Sequence, residues 1–268
     1  MLRSILSAAV AVATIATASA QGGPPMTDVM KIADKSRCRA SESAPAAYIR
    51  GVSLVFARAA CDLARDDVRI VSAARTDAER TDALAWYEPQ FRVLGMSNDQ
   101  PGADTLRHAY ALLIGLGMRE SSGRYCVGRD KSARFDTADS AEAGLFQTSW
   151  GAHQTSKAVL EPMYARYASD QRGCMLEVFK QGASCHPWDA RTWGEGTGAE
   201  WQKLTKACPA FATEYAAVLL RTTGGAKGEF GPIRRREATV TKACDAMLSE
   251  IQDYVVKNPQ ACDALRRP

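Results

Sequence analysis

The sequence predicts a mainly α-helical fold stapled by disulfides, on three observations. Apolar residues recur at helical spacing along most of the chain, strand-like alternation is scarce, and the cysteines are even in number. The chain has 268 residues, 46% of them hydrophobic and 24% charged, a composition that excludes disorder, collagen and coiled coil. Its first twenty residues read as a secretory signal. Met1-Leu2-Arg3 is a short basic lead, Ile5 to Ile15 an apolar core, and Ala18-Ser19-Ala20 an A-x-A cleavage site. No other stretch offers the roughly 20 apolar residues of a bilayer-spanning helix, so an exported protein, periplasmic or extracellular, is expected without stable membrane insertion. The remainder carries 33 basic and 30 acidic residues, a net +3 that is too weak to argue for nucleic acid.

Cys38, Cys61, Cys126, Cys174, Cys185, Cys208, Cys244 and Cys262 predict up to four disulfides in an oxidising compartment, with the pairing left open. There is no CxxC pair and no His-x-His spacing, so neither a metal site nor a cofactor is expected. The chain is expected to be a monomer.

Gln21-Gly22-Gly23-Pro24-Pro25 opens a flexible N-terminal segment, 21–37, and residues 38–268 read as one domain because no linker-like stretch divides them. Between Ser43 and Asp66, the residues Ile49, Val52, Phe56, Ala59 and Leu63 stand three or four apart. They predict an amphipathic helix with Ser43 as N-cap and Pro45 in its first turn. Val68 to Val71 reads as a short strand. From a cap at Asp104, a stripe of Leu106, Ala109, Leu113 and Leu116 leads a helix to about Glu120, and a small β-hairpin is expected inside Tyr125 to Thr137. The stretches 181–200 and Thr222 to Pro232 are rich in glycine and read as loops. Trp201, Leu204, Cys208, Phe211, Tyr215 and Val218 trace a further stripe, which Pro209 should kink or restart. Val240, Cys244, Met247, Ile251 and Val255 trace the last one. Cys208 and Cys244 lie on these stripes, so bridges there tie helix to core.

The stripe that ends at Leu116 runs on to Glu120, which puts a carboxylate on the core-facing side of a helix end. Burial disfavours the charged form of a carboxylate, so Glu120 is expected to keep a proton near neutral pH, the state that general-acid cleavage of a glycosidic bond requires. Spacing alone leaves an alternative, in which Glu120 pairs with Arg119, Arg124 or Arg129.

The run Gly115-Leu116-Gly117-Met118-Arg119-Glu120-Ser121-Ser122-Gly123, followed by Glu142-Ala143-Gly144-Leu145-Phe146-Gln147-Thr148-Ser149, resembles the signature of the lysozyme-like superfamily. Soluble lytic transglycosylases and goose-type lysozymes share a Glu-Ser pair ending a helix, then a loop or hairpin, then a Gly-Leu-Met-Gln segment. Here Phe146 replaces the Met, and the match covers about 40 residues, 110–150. The resemblance implies a lysozyme-like helical domain in which Glu120 protonates the leaving oxygen between N-acetylmuramic acid and N-acetylglucosamine. It also implies that Ser121, Phe146 and Gln147 line the site and that Gly144, lacking a Cβ, lets backbone approach the sugar.

Two departures leave the second carboxylate open. Glu142 stands where the family carries a first glycine, and Ser149 where goose-type lysozymes carry Asp. Hydrolysis with inversion needs a base across the sugar, with the carboxyls roughly 6.5–9.5 Å apart, whereas a transglycosylase can use one Glu because the muramic acid 6-hydroxyl attacks internally. Of the available acids, Asp130 in the tight Gly128-Arg129-Asp130 segment and Glu142 before the second motif are favoured, with Asp136 and Asp139 read as turn or cap residues. Trp188 and Trp193, in a loop with Gly and Pro, are candidate cleft walls for stacking on sugars, while Trp201 reads as core. The run Arg234-Arg235-Arg236 reads as a solvated face. The expected function is cleavage of peptidoglycan glycan strands by a lytic transglycosylase or muramidase. Two alternatives stand beside it: a secreted glycan- or protein-binding protein that keeps the cleft without catalysis, and a chitinase-like glycosidase.

Overall fold

The apolar stripes become helices in the computed structural model, which describes residues 24–38, 44–129 and 137–266. In chain order these are α1 (Pro24–Lys35), α2 (Ala46–Ala60), α3 (Asp66–Ser72), α4 (Ala83–Trp86), α5 (Glu88–Val93), α6 (Ala103–Ser121), α7 (Lys157–Ser169), α8 (Leu176–Phe179), α9 (Thr197–Ala207), α10 (Pro209–Thr222), α11 (Gly231–Arg234), α12 (Lys242–Lys257) and α13 (Pro259–Arg266). No strand forms among the described residues, where an isolated antiparallel bridge joins Ala143 to Thr148. The fold is mainly α and disulfide-stabilised.

Helices α2, α6 and α10 make the centre. A helix that is apolar nearly all round must be surrounded by others, and α2 and α10 are of this kind. Tyr48, Ile49, Val52, Leu54 and Phe56 of α2 are fully buried, as are Phe211, Tyr215, Val218, Leu219 and Leu220 of α10. Around α2 pack α1, α6, α8, α10, α12 and α13. Pro209 restarts the helix as its stripe suggested: α9 stops at Ala207 and Pro209 opens α10, where its missing N–H costs nothing.

Four disulfides pair all eight cysteines. Cys38–Cys244 and Cys61–Cys262 join positions 206 and 201 residues apart, tying the N-terminal helices to α12 and α13. In the chain-entropy account, closing a loop of that length removes about 5 kcal/mol of unfolded-state freedom. Cys126–Cys185 and Cys174–Cys208 close the middle of the chain. Bridges of this kind persist in an oxidising compartment, and no helix among the described residues is long and apolar enough to cross a membrane.

Several expectations are corrected. Residues 21–37 are not a flexible lead over their described part: α1 occupies Pro24–Lys35 and packs on α2, with Val29 and Ala33 fully buried. The paired prolines do not prevent this, since proline is tolerated in a first helical turn. Val68 to Val71 is not a strand but the interior of α3. Asp66 and Asp67 sit in its first turn, where carboxylates favour a helix, and Val68 and Val71 are buried three apart with Arg69 exposed between them. The hairpin expected in Tyr125 to Thr137 has no strand in its described part, and residues 130–136 lie outside the described residues. Pro45 is the N-cap of α2, Leu63 lies beyond its end, and Gly102 rather than Asp104 caps α6; Ser43 lies outside the described residues.

A buried carboxylate joins the layers. Glu214 on α10 accepts from Arg58 of α2 at 2.9 Å and Arg65 at 2.8 Å on one oxygen, and from Arg166 at 3.3 Å and the Tyr167 hydroxyl at 2.9 Å, both of α7, on the other. Burial alone would raise this carboxyl's pKa, but the three guanidiniums and the tyrosine hydroxyl reverse the shift and hold it at about 2. A lowered carboxylate pKa supplies stability that is present above the unfolded value and lost as pH falls towards the folded one. The wild type should therefore lose stability between about pH 4.5 and pH 2. Glu214→Gln, which leaves Arg58 buried without its counter-ion, should cost about 3–5 kcal/mol at pH 7 and flatten the acid limb, as read by denaturant unfolding across pH. A variant as stable as wild type at pH 7 would contradict the assignment.

Candidate functional site

The helix that carries Glu120 ends against two neighbours that leave no room for side chains. A Cβ at Gly117 would lie 2.4 Å from the Tyr48 hydroxyl oxygen and 2.9 Å from the Phe146 ring, and one at Gly115 would lie 2.2 Å from the Thr239 carbonyl oxygen. Tyr48 is itself pinned to α6, donating to the carbonyls of Leu113 at 3.1 Å and Ile114 at 2.8 Å. The helix then stops on Ser122 in the left-handed region, φ 55°. Glu120 is half-buried at this end, three residues past Gly117. The segment after α11 is tied to the same helix end: Arg119 donates to the Glu237 carbonyl at 2.9 Å, and Arg235 pairs with the Glu237 carboxylate at 2.8 and 2.9 Å. The run 234–236 is exposed, as expected, and two of its arginines also brace neighbouring segments. Arg234 holds the carbonyls of Gly228 and Glu229, and the Arg236 guanidinium lies 3.6 Å from the centre of the Trp86 ring.

The second motif folds as a tight turn over this helix end. Ala143 and Thr148 form its bridge, Gly144 has φ 79° and donates to the Val127 carbonyl at 2.8 Å, and Gln147 has φ 45°. Gln147 closes back on its own turn, its Nε2 donating to the Gly144 carbonyl at 2.9 Å, while the Ser121 hydroxyl donates to the Gly117 carbonyl at 3.0 Å. Phe146 is fully buried. Ser121, Phe146 and Gln147, expected to line the site, are all buried, and the Ser121 hydroxyl and the Gln147 amide nitrogen bond within their own segments. Gly144 stands against α9. The place of its missing Cβ is filled by Thr205 of α9 at 2.9 Å, so the glycine serves the turn's positive φ and the close packing of α9. Glu142 is half-buried just ahead of the bridge, and Asp130 lies outside the described residues.

Helix α9 extends the site sideways. One turn apart on it, Gln202 and Lys206 hold the backbone of the loop that carries the two exposed tryptophans. Gln202 Oε1 accepts from the Trp193 N–H at 2.8 Å and its Nε2 donates to the Trp193 carbonyl at 3.0 Å. Lys206 Nζ donates to the carbonyls of Asp189 at 2.7 Å and Arg191 at 2.8 Å, and burial lowers its pKa. So fixed, Trp188 and Trp193 remain 51% and 42% exposed and wall a cleft of about 760 Å³ together with Arg124, Arg129, His186 and Arg191. Arg129 lies 4.0 Å from the centre of the Trp193 ring, and His186 stacks on Trp188 at 5.1 Å. The acid in this wall, Asp189, turns its carboxylate inward to the N–H groups of Gly128 and His186 at 3.1 and 2.9 Å. One face of each indole is thus covered, by Arg129 and by His186, in a cleft of basic character.

Sequence reasoning missed one carboxyl. Glu229 accepts from the Ser149 hydroxyl at 3.2 Å and is largely buried. Its loop is zipped to residues 79–81: Gly224 donates to the Thr81 carbonyl at 2.7 Å and Ala226 to that of Glu79 at 2.7 Å. Spacing could not reveal a partner 80 residues away. The one signal was Ser149 itself, a polar residue directly after the second motif.

No protein-family model, curated protein or solved structure matches this chain.

Burial raises the Glu229 carboxyl pKa against the opposing pull of Ser149 and Arg234. A raised carboxyl pKa gives stability that is full below the unfolded value and is lost as pH rises through the folded one. Glu229→Gln should therefore gain on wild type between pH 4 and pH 7 in denaturant unfolding. A gap independent of pH would contradict this.

Proposed function

We propose that the protein is a lysozyme-like glycosidase that cleaves peptidoglycan glycan strands with Glu120 as general acid. The observation that carries this reading is a continuous chain of contacts. The end of α6 packs through Gly117 on Phe146, the turn of Phe146 packs through Gly144 on Thr205 of α9, and α9 holds the tryptophan loop through Gln202 and Lys206. Two motif halves separated by some twenty residues in sequence and a cleft with two exposed indoles thus belong to one rigid framework. A site that must hold a sugar against an acid needs such a framework, because misplacement by about 1 Å can cost a hundredfold in rate.

The basic cleft favours an acidic glycan. Peptidoglycan strands carry free stem-peptide carboxylates, which Arg124, Arg129 and Arg191 suit, whereas chitin offers no charge to them. In the step itself, Glu120 gives its proton to the glycosidic oxygen as the bond from that oxygen to C1 of the muramic acid breaks. In a transglycosylase the muramic acid 6-hydroxyl then bonds to C1 and returns its proton to the Glu120 carboxylate, leaving a 1,6-anhydro end. One carboxyl suffices for that cycle, and the reading prefers it for this reason. Hydrolysis would need a second group to activate water, for which Glu142, Glu229 and Asp130 are the candidates. An oxidising location, in a periplasm or outside the cell, is where both the four disulfides and this substrate are found.

Mass spectrometry of the soluble products released from purified peptidoglycan by the wild type and by Glu120→Gln, with chitin oligomers alongside, tests the proposal. Anhydromuramic ends that fall at least a hundredfold in the variant are expected. Equal release by both proteins would remove Glu120 from the chemistry, and no release from either polymer by folded, fully oxidised protein would favour a binding role.

A further inference from the structure

Away from the motif and the tryptophan cleft, five arginines converge on one pocket of about 540 Å³: Arg58 at the end of α2, Arg65, Arg166 on α7, Arg172, and Arg266 on α13. Two disulfides fix its walls. Cys61–Cys262 anchors α13 to the end of α2, and Cys174–Cys208 anchors the stretch holding Arg172 to the start of α10. Arg58 also donates to the Gly173 carbonyl at 2.9 Å, which locks it to the same stretch.

The internal counter-ions do not use up this charge. Glu214 takes one contact each from Arg58, Arg65 and Arg166; Asp67 takes a two-pronged contact from Arg65 at 2.7 and 2.8 Å; Asp170 takes Arg172 at 2.6 Å. With Asp62 on the rim, the described residues set five guanidiniums against four carboxylates, an excess of one positive charge among them. Arg58 forms the inner wall: it is 5% exposed, and its terminal nitrogens are engaged by the Gly173 carbonyl, the Tyr167 hydroxyl and Glu214, so it contributes its charge to the pocket. Arg166 is half exposed and offers its remaining N–H groups to the pocket.

We propose that this pocket binds a small ligand, or a chain end, through a single oxyanion, either a carboxylate or a phosphate. A forked guanidinium matches the paired oxygens of both groups. One oxyanion balances the charge, and the volume, which lies in the range of ligand pockets, leaves space for the body that carries it. The site is independent of the glycosidase reading and stands if that reading fails.

Calorimetric titration of the full mature chain with inorganic phosphate and, separately, with acetate, at constant ionic strength set by chloride, tests it. Saturable binding of at least one anion is expected, and the arm that binds more tightly names the source as phosphate or carboxylate. Arg166→Gln keeps the Arg58–Glu214 and Arg65–Glu214 contacts, so it should fold, and it should weaken binding by about tenfold or more. Arg166→Lys should recover only part of that loss, because an ammonium lacks the fork. No saturable binding of either anion, or wild-type affinity in folded Arg166→Gln, would overturn the proposal.

Discussion

The site depends on the absence of one side chain. At Gly117 the Tyr48 hydroxyl and the Phe146 ring occupy the volume that any Cβ would need. Helix α2, helix α6 and the turn of the second motif therefore meet at a single point, one turn of helix before Glu120. Protein interiors are packed too tightly to absorb even a methyl group without movement. Displacing Phe146 would move the turn, and moving the turn would disturb the contact of Gly144 with Thr205 on α9. The helix end of Glu120 and the tryptophan cleft are thus linked through the same packing.

Around that point the fold divides its polar interior into separate tasks. Glu214 with its arginines and tyrosine secures α10 to α2 and α7, and Arg221 secures the other end of α10 by donating to the carbonyls of Val71 and Ala73 and to Asp82. Buried ion pairs of this sort add little net stability over apolar packing, but breaking one is costly, so they fix which arrangement forms. The disulfides do the same for the chain ends.

The features legible in the sequence were local ones. The stripes of α2, α6, α9, α10 and α12, the break at Pro209 and the burial of Trp201 follow from spacing, because a helix places residues three and four apart on one face. Helices α1 and α3 were missed where local chemistry outweighed pattern. Paired prolines suggested a flexible lead but fit a first turn, and valines suggested a strand although two aspartates started a helix. For the proposed site, the half-burial of Glu120 at a helix end and the exposure of Trp188 and Trp193 match what neighbours in sequence suggest. The burial of Ser121, Phe146 and Gln147 depends on helices far away in sequence, which spacing alone does not show. Glu229 beside Ser149 and the five-arginine pocket arise from residues brought together from distant parts of the chain, for which periodicity carries no signal.

The central claim is that the motif turn and the tryptophan cleft form one glycan site served by Glu120. The most direct test is nuclear magnetic resonance titration of Glu120→Gln, which is expected to bind without turnover, with a soluble peptidoglycan fragment bearing stem peptides. The account predicts that the indole N–H signals of Trp188 and Trp193 shift together with the backbone amides of residues 144–147, along one saturation curve. Shifts confined to one of these groups, or clustered elsewhere on the molecule, would contradict it.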